Sequence, residues 1–204
     1  MDKRLWTRLG AASGMLYVAL ILSGDSALVN DGVGLVVELF GLILFVPFLG
    51  YLFAVLRQAE GEGGWLSATA FGAGLIAVAI KAVSIVPVIA ARGVELDTLT
   101  EGALVAMSNA SFMLTLAPLG VMAAATSAII LKTGVLPAWI GWAGMFTAGA
   151  LLVNSTFLNA EFGAAFLPFL LWTVLMSAIL ARRAGAGRTE GSTGSGSVRP
   201  ETVR

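Results

Sequence analysis

Two charged side chains, Glu38 and Lys81, lie inside long apolar runs of the chain. An isolated charge at mid-membrane costs about 2.5–3.5 kcal/mol on insertion scales, so such residues usually face a neighbouring helix or a wet cavity. Both fall in the same half of their runs, and we expect them to form an ion pair. The alternative is that each side chain extends independently to the membrane surface.

Uncharged polar residues occur at the same depth as this pair. They are Ser84, one helical turn after Lys81, and the two amides Asn109 and Asn154. Together with Glu38 and Lys81 they predict a polar pocket, open to the outside, that binds or moves a small or lipid-like ligand. The alternative is a structural cluster, because Asn and Ser in membrane helices often only bond to a neighbouring helix, typically for about 0.6 kcal/mol.

Hydrolytic chemistry is a further alternative, because Ser84 and Lys81 have the spacing of a Ser-Lys dyad in which a desolvated Lys acts as the base. The chain has no Cys and no His. This excludes thiol nucleophiles, thiolate metal sites, histidine-ligated haem or zinc, and Ser-His triads. No cofactor and no metal is therefore expected, and an intramembrane lipid-modifying enzyme ranks below the other interpretations.

The composition requires these residues to be positioned by membrane helices. Of 204 residues, 58% are hydrophobic and 12% are charged, against about 45–50% and about 25% in soluble proteins. Six runs are long enough to cross about 30 Å of hydrocarbon, and their continuity indicates helices, not barrel strands. The fold class is therefore all-α, a polytopic transmembrane bundle of six helices. The predicted helices cover approximately 6–24, 33–56, 65–91, 100–131, 138–158 and 162–181.

The distribution of basic residues predicts the orientation. Only Arg92 falls in an outer loop when both termini are placed inside, and a formal net charge of zero leaves no basic field for nucleic acid. We therefore expect a multi-pass protein of the bacterial inner membrane, with a domain over 1–183 and a disordered cytoplasmic tail over 184–204. The basic residues on the inner side are Lys3, Arg4, Arg8, Arg57, Lys132, Arg182, Arg183, Arg188, Arg199 and Arg204.

Local patterns predict how the helices begin and pack. Thr98 and Glu101 match a capping box at the start of the fourth helix, and Gly10-x-x-x-Gly14 indicates close helix packing within or between chains. The basic start followed by an apolar run also has the form of a secretory signal, but we expect an uncleaved first helix because five further spans follow. An aromatic belt at the inner interface is expected from Trp6, Trp65, Trp139 and Trp142.

The loop Lys132–Gly141 reads KTGVLPAWIG, and the chain opens with Arg8-Leu9-Gly10 leading to Leu16-Tyr17. These segments resemble a bacterial family of small multi-pass membrane proteins with a domain of unknown function. The resemblance implies the same topology, and it carries no catalytic residues to transfer.

The expected partners are the lipid bilayer, a small-molecule or lipid ligand, and another membrane protein or a second copy of the chain. The main alternative function is a structural or regulatory partner of another membrane protein.

Overall fold

The computed structural model describes residues 3–24, 31–91, 95–157 and 165–186, and these residues form helices and connecting turns without a strand. The expected all-α bundle is confirmed. Arg92 and the tail from 187 onward lie outside the described residues. The helices are α1 Lys3–Gly24, α2 Asp31–Glu60, α3 Leu66–Ser84, α4 Val86–Ala91, α5 Thr98–Thr133, α6 Ala138–Phe157 and α7 Phe166–Ala186.

Four segments of these helices are long and apolar enough to cross a membrane, as expected of a multi-pass membrane protein. They are Val33–Glu60, Leu66–Ala91, Thr98–Thr133 and Phe166–Arg183. Helix α1 contributes a shorter apolar stretch, and α6 occupies the predicted fifth position. Helix α5 has 36 residues and is about 54 Å long at 1.5 Å per residue, so it exceeds the hydrocarbon thickness by a wide margin.

The third predicted helix, 65–91, is not continuous but divides into α3 and α4 at Ile85. Pro87 explains the break, because it has no N–H to donate to the preceding turn and its ring crowds the carbonyl there. At the break, the Ser84 carbonyl accepts a hydrogen bond of 2.9 Å from Ser108 Oγ on α5. A polar contact between helices is thus formed one turn beyond Lys81.

The helices are packed in a ring in the order α1, α2, α3, α5, α6 and α7, with α7 also against α1 and α4 resting on α5. Helix α4 continues the direction of α3, and the other consecutive helices run in opposite directions. The ends of α1, α4 and α6 therefore lie at the same end of the bundle as the starts of α2, α5 and α7. We call this the outer end, after the predicted orientation, and the opposite one the inner end. The orientation itself stays a prediction.

Helix α1 is a packed member of the bundle. A Cβ added at Gly14 would clash with Ser177 Oγ and lie 2.7 Å from Phe48 Cδ2, and one added at Gly10 would lie 2.9 Å from Tyr51 Cβ. The Gly10-x-x-x-Gly14 pattern therefore lets α1 approach α2 and α7 of the same chain. This resolves the two alternatives in favour of packing within the chain.

Hydrogen bonds at the inner end tie the helix termini together. Gly134, in the left-handed conformation at φ 65°, ends α5, and Arg183 Nη1 donates to the carbonyl of the following Val135. Glu60 accepts from the N–H groups of Leu66 and Ser67, at 2.9 Å each, and so caps α3. These contacts join the α5–α6 loop to α7 and the end of α2 to the start of α3.

Two further predictions about the helix ends can be compared with the structure. The cap of α5 is Asp97, not Thr98, because Asp97 Oδ1 accepts from Thr100 N–H at 2.8 Å. The carboxylate one residue earlier thus accepts from an N–H group of the first turn, and the expected capping box is wrong. The predicted start of this helix, residue 100, lies two residues from the observed start at Thr98. Trp65, Trp139 and Trp142 of the expected belt are exposed at the inner end, and the side chain of Trp6 lies outside the described part of the structure.

Candidate functional site

The expected ion pair is present. Lys81 Nζ on α3 lies 2.6 Å from Glu38 Oε1 on α2, with 20% of the lysine side chain and 23% of the glutamate side chain exposed. Each charge thus has its opposite within direct contact, and the prediction of a pair is confirmed over that of two side chains extending independently. The pair is largely removed from the surface, so it carries a desolvation cost that its own attraction has to offset.

An aromatic ring on a third helix, α5, also contacts the lysine. Lys81 Nζ is 4.9 Å from the centroid of the Phe112 ring on α5, a distance at which the ring quadrupole attracts a cation. The Phe112 ring stands at 84° to the ring of Phe166 on α7, with 5.5 Å between their centroids. The ammonium is therefore positioned by α2 and α5 together, and the aromatic contact extends to α7.

The pair lines a cavity of about 600 Å³ at the outer end, enclosed by α1, α2, α3, α5 and α7. This volume lies in the range of about 300–1,000 Å³ that is common for small-molecule sites. Asn109, exposed on α5, also lines it, as the sequence predicted. The remaining polar side chains of the lining are those of Tyr17, Ser108 and Thr115.

Polarity changes along the depth of this cavity. The charged pair lies near the outer end, since Glu38 is in the second turn of α2, and Asn109 is at the same level on α5. Phe45 and Leu119 line the cavity two to three turns further in, which is about 10–15 Å along a helix. The charged pair and Asn109 therefore border the outer part, and the inner part is mainly apolar, with Tyr17 and Thr115 as its polar side chains.

Ser84 does not belong to this cavity. Its side chain is buried, and Ser84 Oγ donates to the Lys81 carbonyl at 2.7 Å. The hydroxyl hydrogen is thus used by the backbone of its own helix, a common arrangement for Ser in apolar helices. Ser84 is thus absent from the cavity lining, and its hydroxyl donates to the Lys81 carbonyl and not to the ammonium, as a Ser-Lys dyad would require.

Asn154 is also separate from the cavity. It is 6% exposed on α6, and none of the described residues of α6 lines the cavity, because α6 packs on the other side of α5. The predicted cluster of five polar residues therefore reduces to three: Glu38, Lys81 and Asn109. The direction in which each helix faces separates Ser84 and Asn154 from the three residues that line the cavity.

Tyr17 is a lining residue that the sequence did not single out. It is buried on α1, and its ring centroid is 4.4 Å from that of Phe45 on α2. The available signal was its rarity, since the chain has two tyrosines and this one lies inside an apolar run. A phenol in such a run needs a hydrogen-bonding or wet environment for its hydroxyl, and the cavity provides that space.

Comparison of the chain with protein-family models, with curated proteins and with solved structures gives no match in any of the three. The resemblance of the Lys132–Gly141 loop to a membrane-protein family therefore stays a prediction.

Proposed function

We propose that this chain is an integral membrane protein that binds a small or lipid-like ligand in the outer-end cavity, against the Glu38–Lys81 pair. The observation that carries the proposal is the combination of a charged pair with a cavity of about 600 Å³ beside it. Protein interiors are close-packed, and voids larger than a water molecule are few. A cavity of this size that exposes both members of an ion pair therefore supports a ligand site over a structural pair.

The inner half of the bundle supports binding from one side. Below the cavity, α2 presents Phe48, Leu49, Leu52 and Leu56, each between 0% and 2% exposed, to its neighbours. These residues fill the centre of the bundle, so the cavity has a closed floor. Release of the ligand to the inner side would require these side chains to separate, and we propose binding as the function without a continuous passage.

The two other interpretations have less support. A structural or regulatory partner would need no internal space, and side chains could close-pack around the ion pair. A lipid-modifying enzyme would need a nucleophile at the cavity, and the hydroxyl proposed for that role, Ser84 Oγ, is bonded to its own backbone. The proposed location, the inner membrane of a bacterial cell, rests on the charge bias of the sequence and on the apolar helices.

Filling the cavity tests the proposal. Val78 lines the cavity on α3, whereas Ile76 on the same helix is 56% exposed and does not line it. A single-chain alcohol that carries an alkyl diazirine should label the wild type and Ile76→Trp in the cavity-lining segments, with saturation as its concentration rises. Val78→Trp should abolish the saturable labelling, and saturable labelling that Val78→Trp leaves unchanged would refute the proposed site.

A further inference from the structure

We infer that the ligand of this cavity is an amphiphile with an uncharged, hydrogen-bonding head group and one hydrocarbon chain, taken up from the outer leaflet of the bilayer. The inference rests on the proposed function and names the ligand class for the same site. It is carried by the charge balance of the lining, by the order of polar and apolar surfaces, and by the rim.

The side chains that line the cavity carry no net charge. Among the described residues that line the cavity, Glu38 and Lys81 are the charged ones, and they already contact each other at 2.6 Å. An anionic or cationic head group would add an uncompensated charge to a site that is largely shielded from water, which is unfavourable. A zwitterionic head group would compete with each member of the pair for its present partner.

An uncharged head group can bind without disturbing the pair. An ammonium has three N–H donors and a carboxylate has two acceptor oxygens, so the contact between Lys81 Nζ and Glu38 Oε1 leaves hydrogen-bonding capacity on both. Asn109, at the same level on α5, adds an exposed amide with donors and an acceptor. A hydroxyl, diol or ester head group matches this set of donors and acceptors.

The inner part of the cavity matches a hydrocarbon chain. Its walls include Leu42 and Phe45 on α2, Leu119 on α5 and Leu170 on α7. Since a methylene group takes up about as much space as a water molecule, about 30 Å³, the cavity holds about 20 such groups. This is enough for one chain with a small head group. The chain would point toward the bilayer centre, as lipid chains do in the outer leaflet.

The rim of the cavity is apolar. Leu22 near the end of α1 and Leu167 near the start of α7 line the cavity while they are 53% and 58% exposed. Both lie in helices that are apolar at these positions, so their exposed surfaces face hydrocarbon or the interface. A hydrocarbon chain can pass over such a rim without crossing water, whereas a water-soluble ligand would gain nothing from it.

A competition among head groups tests the inference. The full chain in detergent micelles is given equal amounts of monoolein, oleate, oleylamine and oleoyl lysophosphatidylcholine, which share one hydrocarbon chain and differ in head-group charge. Native mass spectrometry then measures how much of each remains bound. We expect the occupancy by uncharged monoolein to exceed that by each charged probe by about tenfold, equivalent to about 1.4 kcal/mol. Val78→Trp should remove this binding and Ile76→Trp should retain it.

Charge variants provide a readout that a purely apolar site would not show. Glu38→Gln leaves Lys81 without its counter-charge, so the preference should move to oleate. Lys81→Met leaves Glu38 unbalanced, so the preference should move to oleylamine. Unchanged preferences in both variants, or a wild type that binds a charged or zwitterionic probe as well as monoolein, would overturn the head-group inference alone. Absence of binding by all four probes, or equal binding by Val78→Trp, would instead overturn the proposed function.

Discussion

The Lys81 ammonium lies between the Glu38 carboxylate, at 2.6 Å, and the face of Phe112, at 4.9 Å from the ring centroid. Three helices, α2, α3 and α5, therefore converge on one cation. The ion pair alone would join α2 to α3, which are already neighbours in the ring. The aromatic contact adds α5, so the lysine links the helices that form three sides of the cavity.

The coupling between Lys81 and Phe112 should be measurable. We expect Phe112→Leu and Lys81→Met to show an interaction free energy of about 0.5–1 kcal/mol in a double-mutant cycle, the range for a cation–π contact that retains some exposure. The measurement is reversible unfolding in detergent, followed by circular dichroism. Phe112→Tyr, which keeps the ring, serves as the control and should preserve the coupling. Strict additivity of the Leu and Met variants would show that the contact contributes nothing.

Removal of one member of the ion pair should cost more than removal of both. Glu38→Leu or Lys81→Leu leaves a charge without a partner, and we expect each to lower the free energy of unfolding by roughly 1–3 kcal/mol, less than for a fully buried pair because about a fifth of each side chain is exposed. The double variant Glu38→Leu/Lys81→Leu should lie closer to the wild type than either single variant. The same unfolding assay measures all three variants. If the stability loss of the double variant equals the sum of the two single losses, the pair is contradicted.

Close approach of α1 depends on the absence of a side chain at Gly14. Gly14→Ala places a Cβ within 2.7 Å of Phe48 Cδ2 and closer still to Ser177 Oγ, so overpacking should cost about 1–3 kcal/mol of stability. Gly50→Ala is the matched control, since a Cβ there meets nothing within 4 Å, and it should stabilise α2 by about 0.5–1 kcal/mol. Thermal unfolding of both variants in the same detergent tests the difference, and equal midpoints would refute tight packing at Gly14.

The cap of α5 should respond to acid. The hydrogen bond from the Thr100 N–H to the Asp97 side chain lowers the pKa of this carboxyl below its ordinary value. A lowered folded-state pKa means that the stabilising contribution is present above the unfolded pKa, about 3.9, and is lost as the pH falls through the lower folded value. Amides 98–101 should therefore lose protection from hydrogen exchange at low pH, after correction for intrinsic rates. Asp97→Asn keeps a capping group that does not titrate, so persistence of the acid effect in that variant would exclude Asp97 as its source.

The absence of cysteine makes the orientation directly testable. In intact cells, a membrane-impermeant maleimide should label Glu95→Cys, in the segment that precedes α5 at the outer end. It should label Glu62→Cys, in the loop between α2 and α3, only after the cells are opened. Both positions are exposed, so labelling of both after lysis verifies that each thiol can react. The reverse pattern in intact cells would invert the topology.

The sequence was sufficient for features that depend on composition along the chain. The helices and the position of Glu38 and Lys81 inside apolar runs follow from hydropathy and from the cost of an unpaired charge in hydrocarbon. The pairing of these two charges was predictable because both lie in the same half of their apolar runs on successive spans. The range 65–91 was nonetheless assigned to one helix, since the pattern of apolar residues does not record where the hydrogen-bond ladder stops.

Which side chains line the cavity was decided by the rotation of each helix about its axis, and this rotation depends on packing. The side chain of Ser84, one turn from Lys81, is buried and donates to the backbone of its own helix. Asn154 lies on α6, which packs on the side of α5 that faces away from the cavity. Tyr17 and Phe112 reach the site because α1 and α5 pack beside it. No local sequence pattern predicts that packing. Apolar runs in lipid are hydrophobic on nearly every face, so periodicity gives little information on which face is turned inward.

The amino-acid sequence by itself determined an all-helical fold for a membrane environment and the position of its two internal charges within apolar helices. These depend on the free energy of transferring individual side chains and peptide groups, which each residue carries with it wherever it packs. The tertiary structure alone decided that a cavity remains beside the charges, that Phe112 and Tyr17 contribute to its wall, and that Ser84 and Asn154 do not. Those outcomes depend on how the surfaces of five helices fit together, and that fit is a property of the assembled bundle.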